Sequence, residues 1–108
     1  LDSAIGAYKN LADDDGVDSV YRDLAVVLGA FVELDSKSES AGLVARADEM
    51  ASGSSPWRFT AKEIVALAAL KSGNIEMART RYEELNNEAA APQGLRARAR
   101  NMLDVLAQ

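Results

Sequence analysis

Apolar residues along this chain recur every three or four positions and never alternate with polar ones over a useful length, a pattern that predicts helices and no strand. Six helical segments emerge. The first runs from Leu1 to about Ala12 with Ile5, Tyr8 and Leu11 on one face, and Asp13-Asp14-Asp15-Gly16 stops it. The second, about Ser19 to Asp35, follows the candidate cap Asp18. It is apolar almost all round, interrupted only by Arg22, Asp23 and Glu33, so burial on most sides is expected. The third, about Glu39 to Ala51, is one-sided, through Leu43, Ala47, Met50 and Ala51. Ser52-Gly53-Ser54-Ser55 is a flexible break. Ser55 and Pro56 suit the cap and first position of the fourth helix, while Thr60 and Glu63 have capping-box spacing and place a start further in. That helix runs to about Ser72 and is apolar nearly all round from Ile64 to Leu70. Gly73 ends it and Asn74 caps the fifth, Ile75 to about Glu88. After Ala91-Pro92 comes the last, about Gln93 to Ala107, with a single stripe of Leu95, Ala99, Met102, Leu103 and Leu106.

Helices that are apolar all round (second, fourth) alternate with one-sided ones (first, third, fifth). Stacked helical hairpins need that arrangement, because one helix of each pair is sandwiched and the other faces water. Within Ala61 to Pro92, small Ala66 and Ala69, a Gly73-Asn74 turn, then Ala78, Tyr82 and Leu85 follow in order. Small residues let two antiparallel helices approach, and the aromatic fills space against the next unit. This order resembles a tetratricopeptide repeat. Ala4, Tyr8 and Leu11 recur as Ala78, Tyr82 and Leu85 at an offset of 74 residues, or two units of 37. Those units are slightly longer than the usual repeat of about 34. Between them lies a degenerate unit in which only Ala41 and Ala45 fall into place. The expected fold is all-α: residues 1–108 as one domain, a right-handed stack of antiparallel hairpins closed by a C-terminal capping helix.

With 108 residues the chain suits one domain with a useful core. Twelve basic against 17 acidic residues leave a net charge of −5, which argues against nucleic-acid binding, since phosphates need a basic face. Histidine and cysteine are absent, which removes Cys/His zinc sites, catalytic thiols, disulfides and triads with a His base. No cofactor or metal is expected. The longest apolar run, Leu24 to Val32, is far short of the roughly 20 residues of a spanning helix. The chain opens without Met and already within a helical pattern, so an upstream segment, including a membrane anchor, is expected.

Candidate chemistry is sparse. An EF-hand loop with its Gly at Gly16 would begin at Leu11 and end at Arg22, neither a calcium ligand, so the aspartate run reads as a solvated capping turn. Arg96 and Arg100 share a helix side with Asp104, where i,i+4 pairs stabilise by only ~0.2–0.5 kcal/mol, and Arg98 points elsewhere. Glu83-Glu84 and Asp48-Glu49 sit on amphipathic helices, where a solvated face is the default. The best recognition candidates are Trp57 and Phe59 beside Arg58, together with Tyr21. The two rings lie in different helical directions and cannot both enter one core: either one packs between helices and the other faces a groove, or each is buried against different neighbours.

Three blocks carry a family resemblance: Ser55-Pro-Trp-Arg-Phe-Thr-Ala-Lys-Glu63, Ala68-Ala-Leu-Lys-Ser-Gly-Asn74 and Ala91-Pro-Gln-Gly-Leu-Arg-Ala-Arg-Ala99. Over roughly Ser55 to Leu106 the chain resembles the tetratricopeptide-like domain of the ancillary subunit of the bacterial SecYEG translocon, in its alphaproteobacterial form; the first half agrees mainly in helix pattern. The resemblance implies a domain on the periplasmic face of the inner membrane, anchored by one N-terminal span. It also implies association with the translocon, periplasmic chaperones and newly exported chains, and it carries over no catalytic residue. Three readings follow. The first is a non-catalytic protein-interaction module that uses Tyr21, Trp57, Arg58 and Phe59. The second is a structural domain that builds a homo-oligomer through its one-sided ends. The third, an enzyme, requires clustered carboxylates with raised pKa values in one pocket.

Overall fold

A computed structural model of the protein describes residues 2–36 and 42–108. Six helices follow in order: α1 (Asp2–Ala12), α2 (Ser19–Asp35), α3 (Leu43–Ala51), α4 (Arg58–Lys71), α5 (Ile75–Asn86) and α6 (Gln93–Leu106). No strand occurs among the described residues. Leu1, Glu39 and Ala41, which the sequence pattern places in helical segments, lie outside the described residues.

Local chemistry sets the helix ends. Gly73 adopts φ +84°, a conformation that costs residues with a Cβ. There its N–H reaches the Leu70 carbonyl at 3.1 Å and the Asn74 N–H reaches Ala69 at 2.9 Å, the paired closure of a Schellman turn. Asn74 then caps α5, its side chain accepting from the Met77 N–H at 3.2 Å. At the start of α4 neither expected cap forms. The Ser55 hydroxyl accepts from the Trp57 N–H at 3.1 Å, closing a turn ahead of the helix, which begins at Arg58. Glu63 is drawn instead to Arg98 on α6.

The start of α3 is capped from another helix. Gly42 turns in with φ +71° and supplies no side chain. Glu33, near the end of α2, fills that role: its carboxylate accepts from the N–H groups of Leu43 at 3.3 Å and Val44 at 3.0 Å. A buried charge is costly unless hydrogen bonds compensate it, and the first N–H groups of a helix are unpaired donors that favour negative charge. Glu33, at 1% exposure, meets both requirements.

Each helix packs on its neighbours in sequence, and α2, α4 and α6 also lie side by side. The overall dimensions, 44 × 31 × 18 Å, leave room for two helix layers through the shortest direction. The core divides in two. Ile5, Val26, Val27, Leu43 and Ala47 gather between α1, α2 and α3, where Ala61 and Ile64 of α4 join them. Phe59, Ala66 and Ala69 of α4 face the other way, onto Ala78, Tyr82 and Leu85 of α5 and Leu95 and Ala99 of α6. So α4 is sandwiched, as its pattern predicts. α2 is not: Tyr21 is 58% exposed and Leu28 42%, so one apolar stripe of this helix has no neighbour among the described residues. Its other side touches α1 so closely that Gly29 is required, since a Cβ there would stand 2.8 Å from the Tyr8 Cβ and 2.5 Å from the Leu43 Cδ1.

Candidate functional site

Where α2 and α4 lie side by side, their C-terminal halves part to leave a cleft of about 260 Å³. Phe31 and Leu34 of α2 and Leu67 and Leu70 of α4 line it, with Asp35 and Lys71 bordering it. The positions follow from helical periodicity. Ile64, Leu67 and Lys71 follow one another at helical spacing along α4, so the stripe that buries Ile64 in the first core half continues as Leu67 and Lys71 at the cleft. An apolar cleft edged by two opposite charges suits an apolar side chain of a ligand whose backbone or polar ends meet the rim.

A larger cleft, of about 380 Å³, lies between α3, α4 and the start of α5. Glu33 and Asp48 are its carboxylates, with Ala45, Ala68, Ser72 and Met77 among its other walls. Both Glu33 oxygens already accept backbone N–H groups, so that carboxylate serves as a cap.

The displaced pKa values in the molecule have structural causes. Hydrogen bonds from Lys9 at 2.9 Å and Arg46 at 2.7 Å hold the Asp13 carboxyl below the usual carboxylate range. Burial, then the nearby Glu63 charge, pushes the Tyr82 phenol up to about 12. The hydrogen-bonded Glu63 carboxylate raises the Arg98 guanidinium. In the aspartate run, Asp14 accepts from the Gly16 N–H at 2.9 Å and Asp15 stands 3.8 Å from Arg22, so the run knits its own turn. Among the described residues no group of three acidic side chains is placed to hold a metal ion.

The four residues singled out in the sequence do not form one patch. Tyr21 lies on the open stripe of α2. Trp57 is half-buried against the first core half, and its indole N–H donates to the Val20 carbonyl at 3.0 Å, tying the start of α4 to the start of α2. Phe59 is buried in the second core half. The Arg58 guanidinium lies 4.3 Å from the centre of the Phe59 ring, and its Nη1 donates to the Ser55 carbonyl at 3.0 Å. The two rings therefore pack into different halves of the core. Arg98 does point away from Arg96 and Arg100, toward Glu63, and among the described residues no ion pair joins those two arginines to Asp104. The cleft residues Phe31, Leu34, Leu67 and Leu70 were hidden within helices that read as apolar all round. The available signal was Lys71 and Asp35, which close the two helices on a shared side.

No known family model, curated protein or solved structure matches this chain.

Proposed function

We propose that this chain is a non-catalytic docking module, a right-handed tetratricopeptide-like stack of antiparallel helical hairpins with α6 as its closing helix, that holds a segment of another polypeptide. The observation that carries the reading is the apolar cleft between α2 and α4, edged by Asp35 and Lys71. Apolar side chains in such a cleft supply affinity, and the charges at its rim select register and partner. The packing of each helix on its neighbours in sequence, with α4 sandwiched between the two halves of the core, supports the stacked-hairpin reading. The partner class rests on the blocks Ser55 to Glu63, Ala68 to Asn74 and Ala91 to Ala99. Their resemblance to the ancillary translocon subunit points to translocon components, periplasmic chaperones or exported chains, met at the periplasmic face of the inner membrane.

The test is photo-crosslinking in cells, with a photoreactive residue in place of Leu67 in the full-length protein and, as control, in place of exposed Glu83 on α5. Adducts to Sec components, chaperones or exported chains from position 67 and not from position 83 are expected. Equal labelling from both positions would show that the cleft is not the docking site. Adducts confined to unrelated proteins would sink the translocon assignment and leave the module.

A further inference from the structure

The two walls of the α2–α4 cleft carry matching positions. Phe31, Leu34 and Asp35 of α2 recur 36 residues on as Leu67, Leu70 and Lys71 of α4. The apolar members agree in kind, and the charge changes sign. The helices run in the same direction: the Trp57 indole ties the start of α4 to the Val20 carbonyl at the start of α2, and the cleft lies between their ends. Asp35 and Lys71 are each the last residue of their helix, so both charges stand at one end of the slot, and the Phe31–Leu67 end of its lining carries none. Both are exposed, and neither forms an ion pair with the other or with any other described residue. For Asp35 the place is unfavourable, because a helix ends in partial negative charge and α2 has no basic residue in its last turn. Leu67 is half-buried yet belongs to neither core half.

We propose, resting on the docking reading above, that Asp35 and Lys71 select both the sign pattern and the direction of the segment held in this cleft. The occupant is a helical segment of the partner polypeptide that sets two apolar side chains, one turn apart, at the Phe31–Leu67 and Leu34–Leu70 levels. At one end of that stripe it carries a base toward Asp35 and an acid toward Lys71. A helix is required because it presents flanking residues at both edges of its apolar stripe, toward both walls. In a strand the residues beside an apolar one point out of the slot. From Phe31 to Asp35 the wall advances about 6 Å along α2, one turn, which suits two side chains. Since both levels are apolar, two leucine-like side chains fit them in either direction. The charges break that tie. Reversal carries the occupant's base and acid to the uncharged end, and exchange of the two signs sets like charges face to face on both walls.

The probe is a phage-displayed library of Ala-rich peptides of about 18 residues, long enough to hold a helix in isolation, randomised over two turns. It is selected in parallel on the protein, on Asp35→Lys/Lys71→Asp and on Leu67→Glu. Circular dichroism verifies each fold, and Leu67→Gln replaces Leu67→Glu if the latter fails. The parent protein is expected to enrich an apolar pair one turn apart with a base and an acid flanking one end. Those peptides should bind the charge-exchanged protein about three- to tenfold more weakly, and that protein should enrich the opposite signs. Enrichment should vanish on Leu67→Glu. The same consensus from parent and exchanged proteins, still lost on Leu67→Glu, would overturn the role of the two charges and leave the docking reading standing. No enrichment, or a consensus indifferent to Leu67→Glu, would overturn the docking site itself and this proposal with it.

Discussion

Arg98 of α6 holds Glu63 of α4 through two parallel bonds, Nε to Oε2 at 2.7 Å and Nη2 to Oε1 at 3.0 Å. The carboxylate is nearly buried, while the Arg98 side chain is 58% exposed, so the pair is a seam at the edge of the second core half. Planar two-point pairing is the strong form of a charge-assisted bond, but exposure on one side reduces it. Arg98→Ala is expected to cost roughly 1–2 kcal/mol in urea denaturation, more than Arg98→Lys, which keeps charge but loses the fork. A double-mutant cycle with Glu63→Gln that returns no coupling would show the two bonds to be energetically idle.

Glu33 makes a sharper test of how α3 is started. Glu33→Ala removes the acceptor for two helix-start N–H groups and leaves a void, at a cost of about 2–4 kcal/mol. Glu33→Gln retains one acceptor oxygen and should cost clearly less. Urea midpoints measure both. If the two variants are equally unstable, the carboxylate geometry is not what matters.

Gly29→Ala sets two effects against each other. Helix propensity favours Ala by up to about 1 kcal/mol. The new Cβ would sit 2.8 Å from the Tyr8 Cβ, which is fixed to the α1 backbone and cannot swing away. Overpacking of this kind costs roughly 1–3 kcal/mol, so net destabilisation is expected. Thermal melts of the variant decide it; an unchanged or raised Tm would mean that α1 shifts at little cost.

Tyr82 presents a buried hydroxyl without a hydrogen-bond partner in this structure, so Tyr82→Phe should leave stability at neutral pH nearly unchanged or slightly higher. Its pKa supplies the pH test. The phenol ionises at 10.0 when unperturbed and at about 12 when folded. Below pH 10 both states hold the proton and there is no effect. Above it the unfolded chain releases the proton first, so this contribution to stability is lost as pH rises from 10 toward 12. Denaturation midpoints of the parent and Tyr82→Phe proteins across that window should diverge, with the parent falling more steeply.

Periodicity located all six helices because burying one apolar face requires a 3.6-residue spacing whatever the neighbour is. The end of α4 was equally legible, since the Gly73-Asn74 closure involves only residues close in the chain. The start of α4 was misplaced for the opposite reason. Ser55, Pro56, Thr60 and Glu63 all have the right local chemistry, but Trp57 must reach Val20 and Glu63 must reach Arg98. Those partners lie 37 and 35 residues away, where local spacing carries no information. The site fared similarly. Trp57, Arg58 and Phe59 stand out by residue type, yet their rings serve two halves of the core, and the cleft is lined by leucines indistinguishable in sequence from those of the interior.

By itself, then, the sequence determined helix type, number and approximate limits, the sandwiching of α4 and the match between α1 and α5, all consequences of short-range backbone chemistry and the period of burial. Tertiary structure alone decided which apolar stripe stays uncovered, where α2 and α4 part, and which of the chain's acids caps a helix or meets an arginine. Those outcomes depend on which surfaces meet, and a one-dimensional pattern specifies that a face must be buried without specifying what buries it.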